Sequence, residues 1–276
     1  MDEAQRGSAE GIAVAVVQFA PTDDTVHNRD SVAAFVAVAA GRGAKLVVFP
    51  EYSSYFVHPL GDGFVRNAEP MDGPFVGALV AAAREHGVFV VAGLVERTDD
   101  KHRFSNTIVA VAPTGDVVAT YRKQHLYDAF GAQESEWVVP GAIDAPQTFE
   151  AHGITVGMQT CYDLRFPEVT RRLADAGAEL VLVPAEWVRG PLKEQHWRTL
   201  IAARAIENTL YVAAADHTPP IGVGSSTIVD PMGVALATIG ETTGVAVAEV
   251  TAERVRAVRE VNPALALRRY RVEPID

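Results

Sequence analysis

The sequence predicts an α/β protein with substantial parallel strand pairing. Three observations carry that expectation. Short, near-continuous apolar runs rich in Val, Ile and Ala recur, among them Ile12–Ala20 and Leu46–Phe49, and such runs suit strands buried on both faces. Segments with apolar groups at helical spacing lie between them. Glycine and proline punctuate the joints, and nothing reads as a domain linker.

Taken in order, Met1–Glu10 is polar and small and is expected to be a disordered tail. Residues 11–276 are expected to form a single domain. Gly11 to Ala20 is the first strand, closed by Pro21. Asn28 to Ala40 reads as a helix ended by Gly41-Arg-Gly43. Lys45 to Pro50 is a second strand, and Glu51 follows it directly. Met71 to His86 is a helix stopped at Gly87, and Val88 to Glu96 is a strand. Asn106 to Tyr121 reads as a hairpin around Pro113-Thr-Gly-Asp116. Lys123 to Gly141 lacks periodicity and is expected to be an ordered loop. A strand from Ile154 leads to Cys161, and Pro167 and Glu168 open a helix that ends at Gly177. Glu179 to Pro184 is a strand, and Lys193 to Asn208 is a long helix. Strands follow at Leu210–Ala215, at Ser226–Thr238 (folded at Pro231-Met-Gly233) and at Gly244–Val250. A short helix, Thr251 to Glu260, precedes a basic tail with Arg268, Arg269 and Arg271.

One internal echo stands out. Gly43-Ala-Lys-Leu-Val-Val-Phe-Pro50 resembles Gly177-Ala-Glu-Leu-Val-Leu-Val-Pro184. Any helix-to-strand joint could look like this. The sharper account is two similar α/β halves packed face to face.

Composition narrows the function classes. The 276 residues are 48% hydrophobic, which is ample for a core, and 24 basic against 35 acidic residues give a net charge of −11. A chain this acidic, with no basic run, is a poor candidate for nucleic acid or an anionic membrane. Its single cysteine rules out an internal disulfide and a Cys-rich zinc site. No apolar run is long enough to span a membrane, and the start carries no secretion signal, so the expected location is the cytoplasm.

That cysteine is Cys161, on the turn between a strand and a helix start. A lone cysteine is usually a small buried hydrophobe. The positive end of a helix, however, favours a thiolate over a thiol. Glu51 leaves a buried strand where open α/β sheets place their ligands, although on position alone a loop acid is more often solvated. Lys123 ends the second hairpin strand, where a surface lysine would be ordinary. Glu134 and Glu136 precede Trp137-Val-Val-Pro-Gly141 and, singly, read as solvated loop charges. Together these groups suit one reaction. A thiol needs a base, and a carboxylate serves if burial raises its pKa. An ammonium with a backbone N–H would hold the oxyanion that follows. His125 and His196 offer a Cys–His alternative, without the flanking patterns of such pairs. His196 reads as helix packing, while His125 shares a strand face with Lys123 and could line the site.

With these residues assembled, the chain resembles the nitrilase superfamily of carbon–nitrogen hydrolases over nearly its whole length. Three blocks in the family's order carry the resemblance: Leu46-Val-Val-Phe-Pro-Glu51, Tyr121-Arg-Lys123-Gln-His-Leu and Cys161-Tyr-Asp-Leu-Arg-Phe-Pro-Glu168. The resemblance implies a four-layer α-β-β-α sandwich of two mixed sheets. It implies Cys161 as nucleophile, Glu51 as base then acid, and Lys123 as oxyanion stabiliser. Glu134 would position the lysine, and the Tyr162 backbone N–H would complete the oxyanion hole. It also implies a small-molecule amide substrate, a thioester intermediate, no cofactor or metal, and a homodimer or larger homo-oligomer. Tyr162-Asp163, followed by Arg-Phe-Pro-Glu, is similar to the amidase branch containing ω-amidase and deaminated-glutathione amidase, where true nitrilases have Trp-Glu. Arg165 would hold a substrate carboxylate or, equally, pair with Asp163 or Glu168. The stretches after Glu51 and after Pro184 depart from the ω-amidase pattern, and Tyr52, Tyr55 and Trp187 in them could wall the pocket. An N-carbamoyl-amide hydrolase, a nitrilase and a non-catalytic binding module are the alternatives.

Overall fold

The computed structural model describes residues 11–275, so the expected disordered tail Met1–Glu10 lies outside the described residues. Among the described residues, twelve strands form two six-stranded sheets. The first half of the chain supplies β1 (Gly11–Gln18), α1 (Thr25–Gly41), β2 (Leu46–Val48), α2 (Asp62–Asn67), α3 (Pro74–His86), β3 (Phe89–Arg97), β4 (Phe104–Val111) and β5 (Val117–Arg122). The second half supplies β6 (Thr148–Ala151), β7 (Ile154–Met158), α4 (Pro167–Asp175), β8 (Leu180–Pro184), α5 (Lys193–Asn208), β9 (Tyr211–Ala215), β10 (Thr227–Val229), β11 (Ala235–Thr238), β12 (Gly244–Thr251) and α6 (Ala252–Val261).

The sheet orders are β12-β1-β2-β3-β4-β5 and β11-β10-β9-β8-β7-β6. In the first sheet β1, β2 and β3 are parallel, and the flanking pairs are antiparallel. In the second, β7, β8 and β9 are parallel with antiparallel flanks. The two orders match when β2 is laid on β8, so the echoed segments are equivalent central strands of two similar halves. The halves are not independent along the chain. β12, the last strand, returns to pair with all of β1, from Gly11 opposite Thr251 to Gln18 opposite Gly244.

The two-residue side-chain period of a strand explains the layering. Leu180 and Leu182 face the space between the sheets, with Val14, Val16, Leu46 and Val156. Val181 and Val183 face outward onto Leu173, Trp197, Ile201 and Ala205 of α4 and α5. On the other side Val47 and Val90 meet Val32 and Val36 of α1 and Phe75 and Leu79 of α3. The result is the expected α-β-β-α sandwich.

Local chemistry sets the ends of these elements. Asp24 caps α1 by accepting from the Val26 and His27 N–H groups, a three-residue extension beyond the expected start. Pro74 opens α3, and Gly87 closes it in the left-handed conformation with φ 62°. The β6–β7 hairpin, turning at His152 and Gly153, and the single-turn-scale helix α2 are additions to the expected elements.

Topology gathers chemistry at one end of the sandwich. The parallel strands β2, β7, β8 and β9 all run out toward this end, and β5 points the same way as β3. Gly93 in β3 makes room there for the chain leaving β2. A Cβ on Gly93 would collide with the Tyr52 nitrogen and lie 2.7 Å from the Glu51 Cα, both backbone atoms that cannot swing aside. Gly93→Ala is therefore expected to cost about 1–3 kcal/mol in overpacking, read by urea denaturation. Its effect on activity is expected to exceed its effect on stability, because the displaced atoms carry Glu51.

Candidate active site

Glu51 and Lys123 stand at the exits of β2 and β5, and both side chains are buried, at 1% and 2% exposure. The Lys123 ammonium donates to Glu51 Oε1 at 3.0 Å and to Glu134 at 2.9–3.0 Å. Glu134 opens a 3₁₀ turn, Glu134–Glu136, in the loop after β5, and it is buried while Glu136 is exposed. Burial alone would push the lysine's pKa down. The charges of Glu134 and Glu51 outweigh this and hold Lys123 well above an ordinary lysine, so it stays an ammonium.

Glu51 is held from every side. Asn106 of β4 donates to its Oε1 at 2.6 Å, and the Glu186 backbone N–H donates to its Oε2 at 2.7 Å. His217, following β9, donates from Nε2 to the Glu51 carbonyl at 2.7 Å. Burial lowers the pKa of His217 to about 4, so its ring is neutral at physiological pH. Burial is also the largest influence on Glu51. It raises the carboxyl above the ordinary glutamate value, against the pull of Lys123.

Cys161 begins the 3₁₀ turn Cys161–Arg165 with φ 45°, a left-handed conformation that a side chain adopts at a cost. A reciprocal cap holds that turn: the Thr160 side chain accepts from the Asp163 N–H, and the Asp163 carboxylate accepts from the Thr160 N–H. Asp163 is buried and takes three further hydrogen bonds, from the Tyr121 hydroxyl at 2.7 Å, the His125 N–H at 3.0 Å and His125 Nδ1 at 2.8 Å. His125 thus buttresses the cysteine turn, stacked on Phe166 at 3.8 Å.

The thiol donates to the Glu186 carbonyl at 3.4 Å, the same residue whose N–H holds Glu51. Residue 186 therefore links the acid and the thiol. The expectation that a helix end would stabilise a thiolate is corrected here. Burial, then the charge of Glu51, raise the Cys161 pKa well above the ordinary range, and Lys123 offsets this only in part. The short turn's N–H groups do not outweigh a dry site with several carboxyls.

The other expected wall residues divide. Tyr52 donates from its hydroxyl to Glu134 at 2.6 Å and belongs to the cluster. Tyr55 is not brought into it. It packs edge-on against Phe64 at 5.1 Å, and its hydroxyl has Asp23, Arg66 and Asn67 for polar neighbours. Tyr162 meets Tyr127 and Phe166 edge-on at 5.1 and 5.3 Å. As the second residue of its turn, it has a backbone N–H with no acceptor inside the turn. Trp187 donates from Nε1 to the Lys193 carbonyl at 2.9 Å, and its ring lies 4.7 Å from the Arg165 guanidinium. Arg165 makes no salt bridge with Asp163 or Glu168. It touches His196 Nδ1 at 3.4 Å, and its buried Nε has no partner. Beside it Lys193 donates to the Tyr127 hydroxyl at 2.6 Å and lies 4.0 Å from the centre of the Phe130 ring.

Asn106, His217, Glu186, Asp216 and Lys193 were not singled out from the sequence. A buried polar residue inside an apolar strand run was the available signal for Asn106, and Asp216-His217 follow the run Tyr-Val-Ala-Ala-Ala. Among the described residues no group of three His, Cys, Asp or Glu side chains is placed to hold a metal ion. No described helix is long and apolar enough to cross a membrane.

The sandwich and the polar groups gathered at its strand exits are the architecture of an enzyme. The chain belongs to the carbon-nitrogen hydrolase family, whose pattern matches residues 13–260. It is 41% identical to the deaminated glutathione amidase of Escherichia coli O157:H7 over 257 residues, 93% of this chain and 97% of that protein. It is 34% identical to the omega-amidase of Danio rerio over 210 residues, 73% of each chain. The C. elegans NitFhit protein superimposes with a TM-score of 0.86 at 27% identity, covering 95% of this chain and 66% of that one. The enzyme hydrolyses carbon–nitrogen bonds.

His217 also yields a stability prediction. Its pKa is about 4 folded and 6.5 as an ordinary histidine, so the unfolded chain binds the extra proton between those values. Its contribution is whole above pH 6.5 and is lost as pH falls toward 4. Urea denaturation of wild type and His217→Gln is expected to diverge in that window, the wild type losing up to roughly 3 kcal/mol more than the variant.

Proposed function

We propose that this enzyme hydrolyses the primary amide of a small carboxylate-bearing substrate to ammonia and a second carboxylate, through a thioester on Cys161. The convergence of Lys123, Glu51 and the Cys161 thiol around residue 186 carries this reading. The relatives named as amidases support it.

Each step has a group in place. Glu51 takes the thiol proton, and the sulfur attacks the amide carbon. The oxyanion forms between the Lys123 ammonium and the Tyr162 N–H, donors already fixed in a water-poor site. Glu51 returns the proton to the departing nitrogen, and ammonia leaves. Glu51 then removes a proton from water, which attacks the thioester; the C–S bond breaks, the acid is released, and Glu51 returns the proton to the Cys161 sulfur. Glu134 and Tyr52 hold Lys123 in register throughout. Arg165 and Lys193 supply the pole for the substrate's own carboxylate. Among the described residues neither cation has a carboxylate partner of its own, and aromatic rings hold both in place.

The catalytic unit is the single domain from residue 11 onward, acting as a homodimer or larger homo-oligomer in the cytoplasm. The lone cysteine, kept as a working thiol, is the sequence feature that supports the compartment.

Ammonia release from ω-amides of dicarboxylic acids, neutral aliphatic amides, N-carbamoyl amino acids and nitriles tests the reading. Wild type is expected to prefer the ω-amides, and Cys161→Ala to lose activity by at least a thousandfold while remaining folded. Turnover confined to N-carbamoyl compounds or nitriles would replace the amide reading. Arg165→Gln is expected to raise KM for ω-amides roughly tenfold or more, and to act much less on neutral amides. The acid limb of kcat/KM is expected above pH 4.5, the ordinary glutamate value, because Glu51 must be ionised and its pKa is raised.

A further inference from the structure

Glu186 is the buried acid that the reaction above leaves unused. Its backbone is committed, with the N–H on Glu51 and the carbonyl under the Cys161 thiol. Its carboxyl is not. The side chain is 8% exposed, and Oε1 is buried with no hydrogen-bond partner. An orphaned buried oxygen is costly to leave unpaired, and a ligand can remove that cost. By contrast, the neighbouring buried acid Asp216 is fully engaged, accepting from the Trp187 N–H at 2.7 Å and the Val223 N–H at 3.0 Å.

The surroundings fix what the free carboxyl can offer. Burial, then the nearby charge of Glu51, raise the Glu186 pKa well above the ordinary range, with Lys123 giving only partial relief. Its dry surroundings thus favour the neutral acid, which has one O–H to donate and one C=O to accept. Lys193, placed above with Arg165 at the substrate carboxylate, is near enough to interact electrostatically with both Arg165 and Glu186. The committed backbone keeps this side chain within one residue's reach of the reacting atoms.

The geometry points to Glu186 as a specificity-determining residue, whose carboxyl takes an uncharged oxygen-bearing group, a hydroxyl or carbonyl, on the substrate chain between the scissile amide and the distal carboxylate. This rests on the Cys161 amidase reading. A substrate ammonium is the physical competitor, but it would require both an ionised Glu186 beside Glu51 and the stripping of water from a cation.

The test compares chain-matched ω-amides that carry a hydroxyl, an oxo group, an amino group or hydrogen on the intervening chain. The readout is the ratio of kcat/KM for each substituted amide to that for the unsubstituted one. Wild type is expected to favour the hydroxy or oxo amide. Glu186→Ala is expected to lower that ratio by roughly ten- to a hundredfold, and Glu186→Gln, neutral and nearly isosteric, to restore it to within about threefold of wild type. An unchanged ratio in Glu186→Ala, or no preference in wild type, overturns the assignment. A preference for the amino-bearing amide that Glu186→Gln abolishes also overturns it, in favour of a charged subsite. The same ratios taken from dissociation constants on Cys161→Ala protein decide the role of Glu186 even where wild type releases no ammonia, an outcome that would defeat the amidase reading alone.

Discussion

The structure depends on one buried ammonium. Lys123 is tied to Glu51 and Glu134 in a space where Glu186 and Asp216 are buried too. One cation cannot neutralise four carboxyls, so protons must make up the balance. Burial makes that partition steep, because an unpaired charge in a dry site is far more costly than a protonated acid. Lys123 therefore stays charged, while Glu186 and Asp216 are pushed toward their neutral forms. Glu51 is raised above the ordinary glutamate value by burial, and its bond to the ammonium pulls it back toward the ionised form. Removing one partner of such a buried pair leaves the other uncompensated, so this cluster couples stability to chemistry.

The sandwich exists, in functional terms, to hold that cluster dry and in register. Two similar halves present the ends of their parallel strands to the same region. Glu51 comes from one half and Cys161 and Glu186 from the other. Backbone groups bridge the halves: the Glu186 N–H reaches Glu51, and His217 reaches the Glu51 carbonyl. β12, which follows the second half in sequence, then closes the first sheet, so both halves must be folded before the site is complete. Rigid strands, more than loops, aim the reacting groups, and the one strained backbone position among them is Cys161 itself.

Much of this was legible in the sequence because strand exits leave a local signature. Pro50-Glu51 and the run from Thr160 to Glu168 end apolar strands with chemistry-bearing residues, and the echo around Pro50 and Pro184 anticipated the matched central strands. The rest was not legible, because it is made by pairing. Asn106 matters only because β4 lies beside β5, and nothing local marks a buried asparagine as a glutamate's partner. Asp163 and His125 meet across the two sheets. Glu186 looks like a loop acid until the fold buries it. The state of the Cys161 thiol went the other way. The local helix-end argument favoured a thiolate, whereas the acids brought in from distant segments favour the protonated form.

The central claim is that catalysis begins from a neutral thiol beside a carboxylate base, with the lysine already charged. Because the chain has a single cysteine, the ultraviolet absorbance of its thiolate can be titrated directly as the difference between wild type and Cys161→Ala. The account predicts no thiolate signal at neutral pH and a transition above 9, the ordinary thiol value. A thiolate already present at neutral pH, disappearing only on acidification, would contradict it.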